Sequence, residues 1–348
     1  MMHPTPIPAP RRVLIIKPSA LGDVVTALPV LRGLRRSFGP GVHVAWLIAR
    51  PYAPLLSGEG ELNEIVEFDR RLYGRLWRSP LAAAAFRQFR RRLREGDYDW
   101  VIDLQGLFRS GYFASATRAA VRAGFSTARE GAPLFYNHTL PPVHTPAHTV
   151  DRNIALARSL GIDARPEDYR LGVPPEGHSF AERFAADHGP GYLVIAPAAR
   201  WTTKLYPARH WRTVIDALAR RLTVALVAGA DEAHLTAPLA GGANVIDLAG
   251  KTSLPELVGL IAGSRGVVSG DSAVMNIATA TGVPQVTIVG PTDPARTGPY
   301  RRPQALVQTH LPCRACLKRR CRHVACMELI APAEVLAAAE RNLFEGEG

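Results

Sequence analysis

The feature that most restricts how this chain can fold is an alternation. Short apolar, β-branched runs are separated by stretches with helical spacing, the pattern is interrupted once, and it then resumes. In the first half the runs are VLIIK (13–17), VHVAWLIA (42–49), part of ELNEIVEFD (61–69), DWVIDL (99–104) and AVRAGFS (120–126). Between them, helices are expected from about Asp23 to Arg36, over PLAAAAFRQFRRRLREG ending at Gly96, and over QGLFRSGYFASATR. Strands that read as continuous apolar runs are buried on both faces, which predicts a parallel sheet covered by helices on each side.

Residues 138–175 break the rhythm. NHTLPPVHTPAHT is turn-rich, VDRNIALARSLGI is helical and RPEDYRLGVPPEG reads as loop. The alternation restarts with YLVIAPA (192–198), TVALVAG (223–229), NVIDLAG (244–250), GVVSGD (266–271) and PQVTIVG (284–290), with helices near 207–221, after Gly229, over SLPELVGLIAGS and from Ser272. The expected organisation is two doubly wound, Rossmann-like α/β domains, 1–165 and 176–330, facing across a cleft. A C-terminal helix in 331–348 is expected to pack back on the N-terminal domain. In doubly wound sheets ligands bind beyond the carboxyl ends of the strands, so both halves should contribute to one crevice. A length of 348 residues suits two such cores. There is no G-x-G-x-x-G and no G-x-x-x-x-G-K-[ST], which argues against a dinucleotide fingerprint and a P-loop.

The formal net charge is +12, carried almost entirely by Arg. Such a balance favours phosphate-rich partners: nucleic acid, anionic lipid or a phosphorylated glycolipid. The densest run comprises Arg70, Arg71, Arg75, Arg78, Arg87, Arg90, Arg91, Arg92 and Arg94, which a solvated helix face also explains. Without aromatic interleaving or a helix-turn-helix, RRM or KH signature, nucleic acid is not an expected partner. Pro4, Pro6, Pro8 and Pro10 mark a loose N-terminal tail. No apolar run reaches the length of a membrane span and no signal-peptide core precedes the first strand, so the expected location is cytoplasmic.

Four residues supply an anion site in the second half. Asp271 and Ser272 stand where a strand gives way to a helix, and the first helical N–H groups, of Ser272, Ala273 and Val274, have no partners inside the helix. The alternative is that Asp271 is only an N-cap. The loop ARWTTKLYPARHW, after the first strand of that half, offers Arg200, Thr202, Thr203 and Lys204 to a diphosphate and its leaving charge, or is a solvated basic loop. Asp231 or Glu232, after the next strand, can accept from ribose hydroxyls, or be acids favoured by a helix dipole. With phosphates held there, the turn KPSALGDVV need not bind them, and its carboxylate, Asp23, is free to take a proton from an incoming hydroxyl. Asp23 as an early-helix cap is the competing reading. Asp97-Tyr98-Asp99, the only D-x-D, precedes a strand and reads as a solvated turn. Cys313, Cys316, Cys321 and Cys326 lie within fourteen residues, a spacing open to a structural zinc loop or to free thiols.

KPSALGDVVTALPVL, DLQGLFRSG, WTTKLYP and GDSAVMNIATATGVPQVTIVGPTDPARTGPY resemble the motifs of glycosyltransferase family 9, the ADP-heptose:lipopolysaccharide heptosyltransferases, over residues 12–345. The Cys segment with CMELIAPAEV resembles the tail of the heptosyltransferase II branch. The resemblance implies a GT-B fold and an inverting, metal-independent transfer from an ADP-sugar, with no cofactor. It implies a phosphorylated lipopolysaccharide-core acceptor, met at the inner membrane. It makes Asp23 the base and places donor contacts on Arg200, Thr202, Thr203, Lys204, Asp231, Glu232, Asp271, Ser272, Ala273 and Asn276. Acceptor contacts fall on Ser19, Gly22, Gln105 and Arg109. Two motifs depart from the family pattern. Its D-[ST]-G-x-x-H has Ala273 and Asn276 here, and its P-G-A is Pro197-Ala198-Ala199. These departures motivate a competing class, a catalytically degenerate nucleotide-sugar-binding protein, which would bind an ADP-sugar without releasing ADP.

Overall fold

A computed structural model describes residues 8–142 and 148–345. Pro4 and Pro6 of the expected tail, and part of the turn-rich stretch after 140, lie outside the described residues. The chain divides into two compact units, residues 1–169 and 170–348, a boundary inside the expected connecting segment.

The first unit is built on a six-stranded sheet. Its strands are β1 (Arg12–Ile16), β2 (His43–Ala49), β3 (Glu64–Phe68), β4 (Trp100–Asp103), β5 (Val121–Phe125) and β6 (His138–Leu140). All neighbours pair in parallel, in the order β3-β2-β1-β4-β5-β6. Val13 to Ile16 are fully buried, as a central strand covered on both faces requires. β6 was not expected: HTL is too short and polar to stand out, and its register is fixed by the β5 edge, with Gly124 opposite Thr139.

The single helix expected from Asp23 to Arg36 is two helices, Leu21–Val25 and Leu28–Phe38. Pro29 has no N–H to return to Val25, so the first helix cannot run on. Asn153, from the helix Thr149–Ser159, donates its side-chain N–H to the Thr26 carbonyl at 3.0 Å and anchors the break. The expected D-x-D turn is not simply solvated. Tyr98 is buried, and the Asp99 carboxylate accepts the N–H groups of Arg11 and Arg12 at 2.7 and 2.8 Å, clamping the start of β1.

The second unit repeats the plan with β7 (Leu193–Ala196), β8 (Val224–Leu226), β9 (Val245–Asp247), β10 (Gly266–Gly270), β11 (Gln285–Val289) and β12 (Leu306–Gln308). Again every pair is parallel, in the order β12-β11-β10-β7-β8-β9. Pro175, Glu176 and Gly177, read as the end of a loop, open a helix that the sequence reading did not assign, Pro175–His188. It crosses the helix Leu254–Ala262 at two glycines: a Cβ on Gly259 would stand 1.9 Å from the Gly177 carbonyl oxygen. The helix expected after Gly229 is a chain of short turns, Ala230–Glu232, Ala233–Thr236 and Ala237–Leu239. The C-terminal helix Pro332–Ala339, expected to pack on the N-terminal domain, belongs to the second unit. Val335, Ala338 and Ala339 share a buried cluster with Trp211 and Ile215, and the Tyr206 hydroxyl donates to the Ile330 carbonyl.

Candidate active site

In each sheet the strand order reverses beside the first strand of its unit. That point lies between β1 and β4 in one sheet and between β7 and β10 in the other. Beyond the carboxyl ends of such a pair the following loops diverge and leave room for a ligand. Most of the sequence-predicted residues lie on the loops at these two places, while Asp231 and Glu232 follow β8.

In the first unit, the loop after β1 carries Lys17 to Asp23 and the loop after β4 carries Leu104 to Gly106. The Ser19 N–H points at Gln105 Oε1, 3.4 Å away, so two of the expected acceptor contacts are brought together. Asp23 is the third residue of the helix Leu21–Val25. Its Oδ2 accepts the Ala20 N–H at 3.1 Å, so the capping role exists, but it occupies one oxygen. Asp23 is half-exposed, and Oδ1 has no hydrogen-bond partner among the described residues. Gly22 lies in the same turn and is half-exposed.

Beneath this turn is a buried polar layer that the sequence did not single out. Lys17 is buried, and its Nζ donates to the Leu104 carbonyl at 2.8 Å. Burial pulls this ammonium below its ordinary value, while the charges of Asp23 and Asp103 act in the opposite direction. Asp103 is fully buried at the end of β4 and accepts from the Gln105 and Gly106 N–H groups and, at 2.6 Å, from the Tyr136 hydroxyl. Burial pushes the Asp103 carboxyl up, and these donors hold it back. Burial and the Asp103 charge push the Tyr136 phenol up, so it stays protonated and donating. The Asp103 carboxylate thus shapes the Gln105 loop and balances Lys17 below Asp23. Arg109 lies on the helix Phe108–Thr117, exposed, with its guanidinium 5.4 Å from the centre of the Phe68 ring. Burial of part of that side chain and the neighbouring Arg70 lower its pKa, against Glu130.

In the second unit, the loop after β7 meets the loop after β10. Lys204 Nζ donates to Asp271 Oδ2 at 2.8 Å, with side-chain exposures of 16% and 10%. The Thr292 hydroxyl, just after β11, donates to the same oxygen at 2.5 Å. Asp271 is therefore not the N-cap of the next helix. Ser272 holds that position, and its side chain makes no capping bond to the helix Ala273–Ala280. The Ser272 hydroxyl oxygen is buried and unpartnered among the described residues. A helix start with open N–H groups, an idle hydroxyl and an adjacent ammonium is suited to an anion. Ala273 and Asn276 line the same first turn, half-exposed, and the Asn276 amide reaches the Ser272 carbonyl at 3.4 Å.

Around Lys204 the loop is braced from behind. Thr203, expected to offer its hydroxyl to the donor, is buried and donates to the Lys318 carbonyl at 2.9 Å, so it holds the loop in place. Two cations approach the Trp201 ring, with Lys204 Nζ at 4.7 Å and the Arg319 guanidinium at 4.6 Å from the ring centre. Arg200 and Thr202 are exposed on the loop. Asp231 and Glu232 stand in the turn Ala230–Glu232 beyond β8, on the same edge of the sheet, with Asp231 exposed. Lys318 and Arg319 come from the Cys segment. Its four thiols are free, with Cys313, Cys316 and Cys321 exposed and Cys326 buried. Among the described residues no group of three or more His, Cys, Asp or Glu is arranged to hold a metal ion.

Residues 86–326 match glycosyltransferase family 9 (heptosyltransferase). Lipopolysaccharide heptosyltransferase 1 of Pseudomonas aeruginosa is 32% identical over 318 residues, covering 89% of this chain and 87% of the relative. The enzyme of the same name from Escherichia coli K12 is 32% identical over 302 residues, covering 84% and 92%. Lipooligosaccharide heptosyltransferase 2 of Haemophilus ducreyi is 25% identical over 321 residues, 85% of this chain and 88% of its own. Among solved structures, E. coli heptosyltransferase WaaC with ADP-2-deoxy-2-fluoro heptose superimposes with a TM-score of 0.75 at 29% identity, covering 95% of this chain and 99% of that one.

Proposed function

The chain belongs to glycosyltransferase family 9, with the GT-B fold, and from that premise we propose that it moves a heptose from ADP-heptose to a lipopolysaccharide-core acceptor in one inverting, metal-independent displacement. The observation that carries this reading is the anion site at the β7–β10 switch point: Lys204, Asp271, the idle Ser272 hydroxyl and the open helix start. It is built for a diphosphate. Relatives at 32% identity are named heptosyltransferases, and WaaC was solved with an ADP-heptose analogue, which supports the adenine nucleotide and the sugar.

In the proposed step an acceptor hydroxyl attacks the anomeric carbon from the face opposite the diphosphate. Asp23 takes the hydroxyl proton on Oδ1 as the new C–O bond forms. The old bond breaks toward ADP, whose growing charge meets the Lys204 ammonium and the N–H groups at the start of the Ala273–Ala280 helix. Asp231 or Glu232 accepts from the ribose hydroxyls. Arg200 and Thr202 add contacts to the diphosphate. Ser19, Gly22, Gln105 and Arg109 hold the acceptor near Asp23. Asn276 fills the place of the family's His with a neutral amide, so the chain relies more heavily on Lys204 for leaving-group charge. The protein works in the cytoplasm, at the inner membrane where its glycolipid acceptor lies.

Asp23→Asn tests the reading. It keeps the hydrogen-bond acceptor toward Ala20 and removes the base. ADP release from ADP-heptose in the presence of acceptor is expected to fall by at least about 100-fold, within the range of general-base catalysis, with ADP affinity unchanged. Full turnover in that variant would reject the assignment. Tight ADP-heptose binding by the wild type without ADP release would instead favour a binding protein.

A further inference from the structure

The Arg-rich stretch of the first unit forms more than a solvated face. The helix Pro80–Glu95 buries Ala82, Phe89 and Leu93 and sets Arg87, Arg90, Arg91 and Arg94 at i, i+3, i+4 and i+7, one side of the cylinder. Together with Arg118, the C-cap of the neighbouring helix Phe108–Thr117, and the Tyr112 ring, they line a pocket of about 340 Å³. Arg90 lies 5.6 Å from the centre of that ring. Arg91 pairs loosely with Glu95 at 3.6 Å, whereas Arg87, Arg90, Arg94 and Arg118 meet no carboxylate among the described residues. Like charges at this spacing repel, and the Arg90–Tyr112 contact and the loose Arg91–Glu95 pair offset only part of that cost.

Position separates the pocket from the reaction site. Arg94 lies six residues before β4 and Arg118 three residues before β5, so the pocket opens toward the amino ends of the strands. Asp23 and Gln105 follow the carboxyl ends of β1 and β4, at the opposite edge. Planar guanidinium forks around an aromatic wall bind oxyanions bidentately, and several forks together select several phosphates.

We propose that this pocket is a binding site for a compact, multiply phosphorylated group, distinct from the donor and acceptor sites. The chemistry is shared by a cluster of anionic lipid headgroups and by a soluble polyphosphate. Just before that helix and in its first turn, Trp77 and Leu81 are 92% and 75% exposed, two apolar side chains that a bilayer interface would cover and a soluble anion would not. The inference does not depend on the transfer reaction, and anion binding decides it.

The probes are sodium tripolyphosphate, by titration calorimetry, and vesicles of 3:7 phosphatidylglycerol to phosphatidylcholine, by co-sedimentation, with pure phosphatidylcholine as the blank. The variants are Arg90→Ser/Arg94→Ser and, as a charge-matched control on the second unit, Arg183→Ser/Arg220→Ser. Tripolyphosphate binding is expected to weaken at least tenfold in the pocket variant and to stay within twofold in the control, while ADP release with a soluble acceptor fragment is unchanged in both. If the anionic vesicles also bind, and Trp77→Ser weakens vesicle but not tripolyphosphate binding, the natural ligand is a lipid headgroup. Tripolyphosphate binding without vesicle binding assigns a soluble anion. Equal losses in both double variants, or no tripolyphosphate binding by the wild type, would overturn the proposal.

Discussion

Replacing Lys204 by Met isolates the charge on which the proposed donor site turns. Methionine keeps most of the side chain's length over Trp201 and removes the ammonium. A hydrogen bond to a charged partner is worth about 1.5–3 kcal/mol, and the phosphates lose at least that. The ion pair adds a second loss. Lys204 Nζ is 2.8 Å from Asp271 Oδ2, and both side chains are largely buried. Without the ammonium, Asp271 keeps, among the described residues, the Thr292 hydroxyl alone and stands as an uncompensated carboxylate beside the bound diphosphate. At an effective dielectric of about 20, repulsion of that kind, eased by residual solvent, costs about 1 kcal/mol. The total of about 3 kcal/mol corresponds to an ADP affinity about 150-fold weaker. The double variant Lys204→Met/Asp271→Asn should recover about fivefold over Lys204→Met, because the carboxylate's repulsion disappears while the lost phosphate contact does not. Titration calorimetry with ADP, on the wild type, both single variants and the double, gives the full cycle. Lys204→Met within threefold of wild type, or a double variant no better than Lys204→Met, refutes the assignment of Lys204 and Asp271 to one phosphate site.

Two further outcomes follow from the buried polar layer and the helix crossing. Tyr136→Phe removes a 2.6 Å donor from the fully buried Asp103 and should destabilise the first unit by about 1.5–3 kcal/mol at pH 8. The Asp103 pKa is already raised by burial, so its native carboxylate is a stability cost that grows as pH rises above the unfolded-state value. Losing the phenol raises that pKa further, so urea unfolding should show a smaller loss at pH 4 than at pH 8; an equal loss at both would mean that Asp103 is neutral in the native protein. Gly259→Ala gains about 1 kcal/mol of helix propensity but drives a methyl to 1.9 Å from the Gly177 oxygen. Overpacking against backbone costs about 3 kcal/mol, so the second unit should melt several degrees lower, and a raised melting temperature would contradict the close helix crossing.

What the sequence exposed and what it hid divide along a physical line. Among the strands that were read correctly, β1 and β7 are central and buried on both faces, so their apolar runs are unbroken, and the edges β3 and β9 still carry the β-branched pairs Ile65-Val66 and Val245-Ile246. Those missed, β6 and β12, are edges of three residues whose pairing is dictated by the neighbouring strand and not by their own composition. The same holds at the two sites. Strand order alone brings Lys204 and Asp271, 67 residues apart, to one switch point, and a phosphate-binding lysine and a strand-end acid are residue types that local patterning can nominate. Asp103, Tyr136 and Thr292 carry no local signal: each works by satisfying or charging a partner supplied by another loop. Lys17 has the weakest signature of all, a lysine closing an apolar strand, which reads as an exposed strand end until burial and the Leu104 carbonyl reveal it under Asp23. Polar residues that point inward are invisible to hydrophobic periodicity because they take positions the pattern assigns to solvent. They are nevertheless what fixes the backbone of the turns after β1 and β4, and so where the Asp23 and Gln105 side chains are presented.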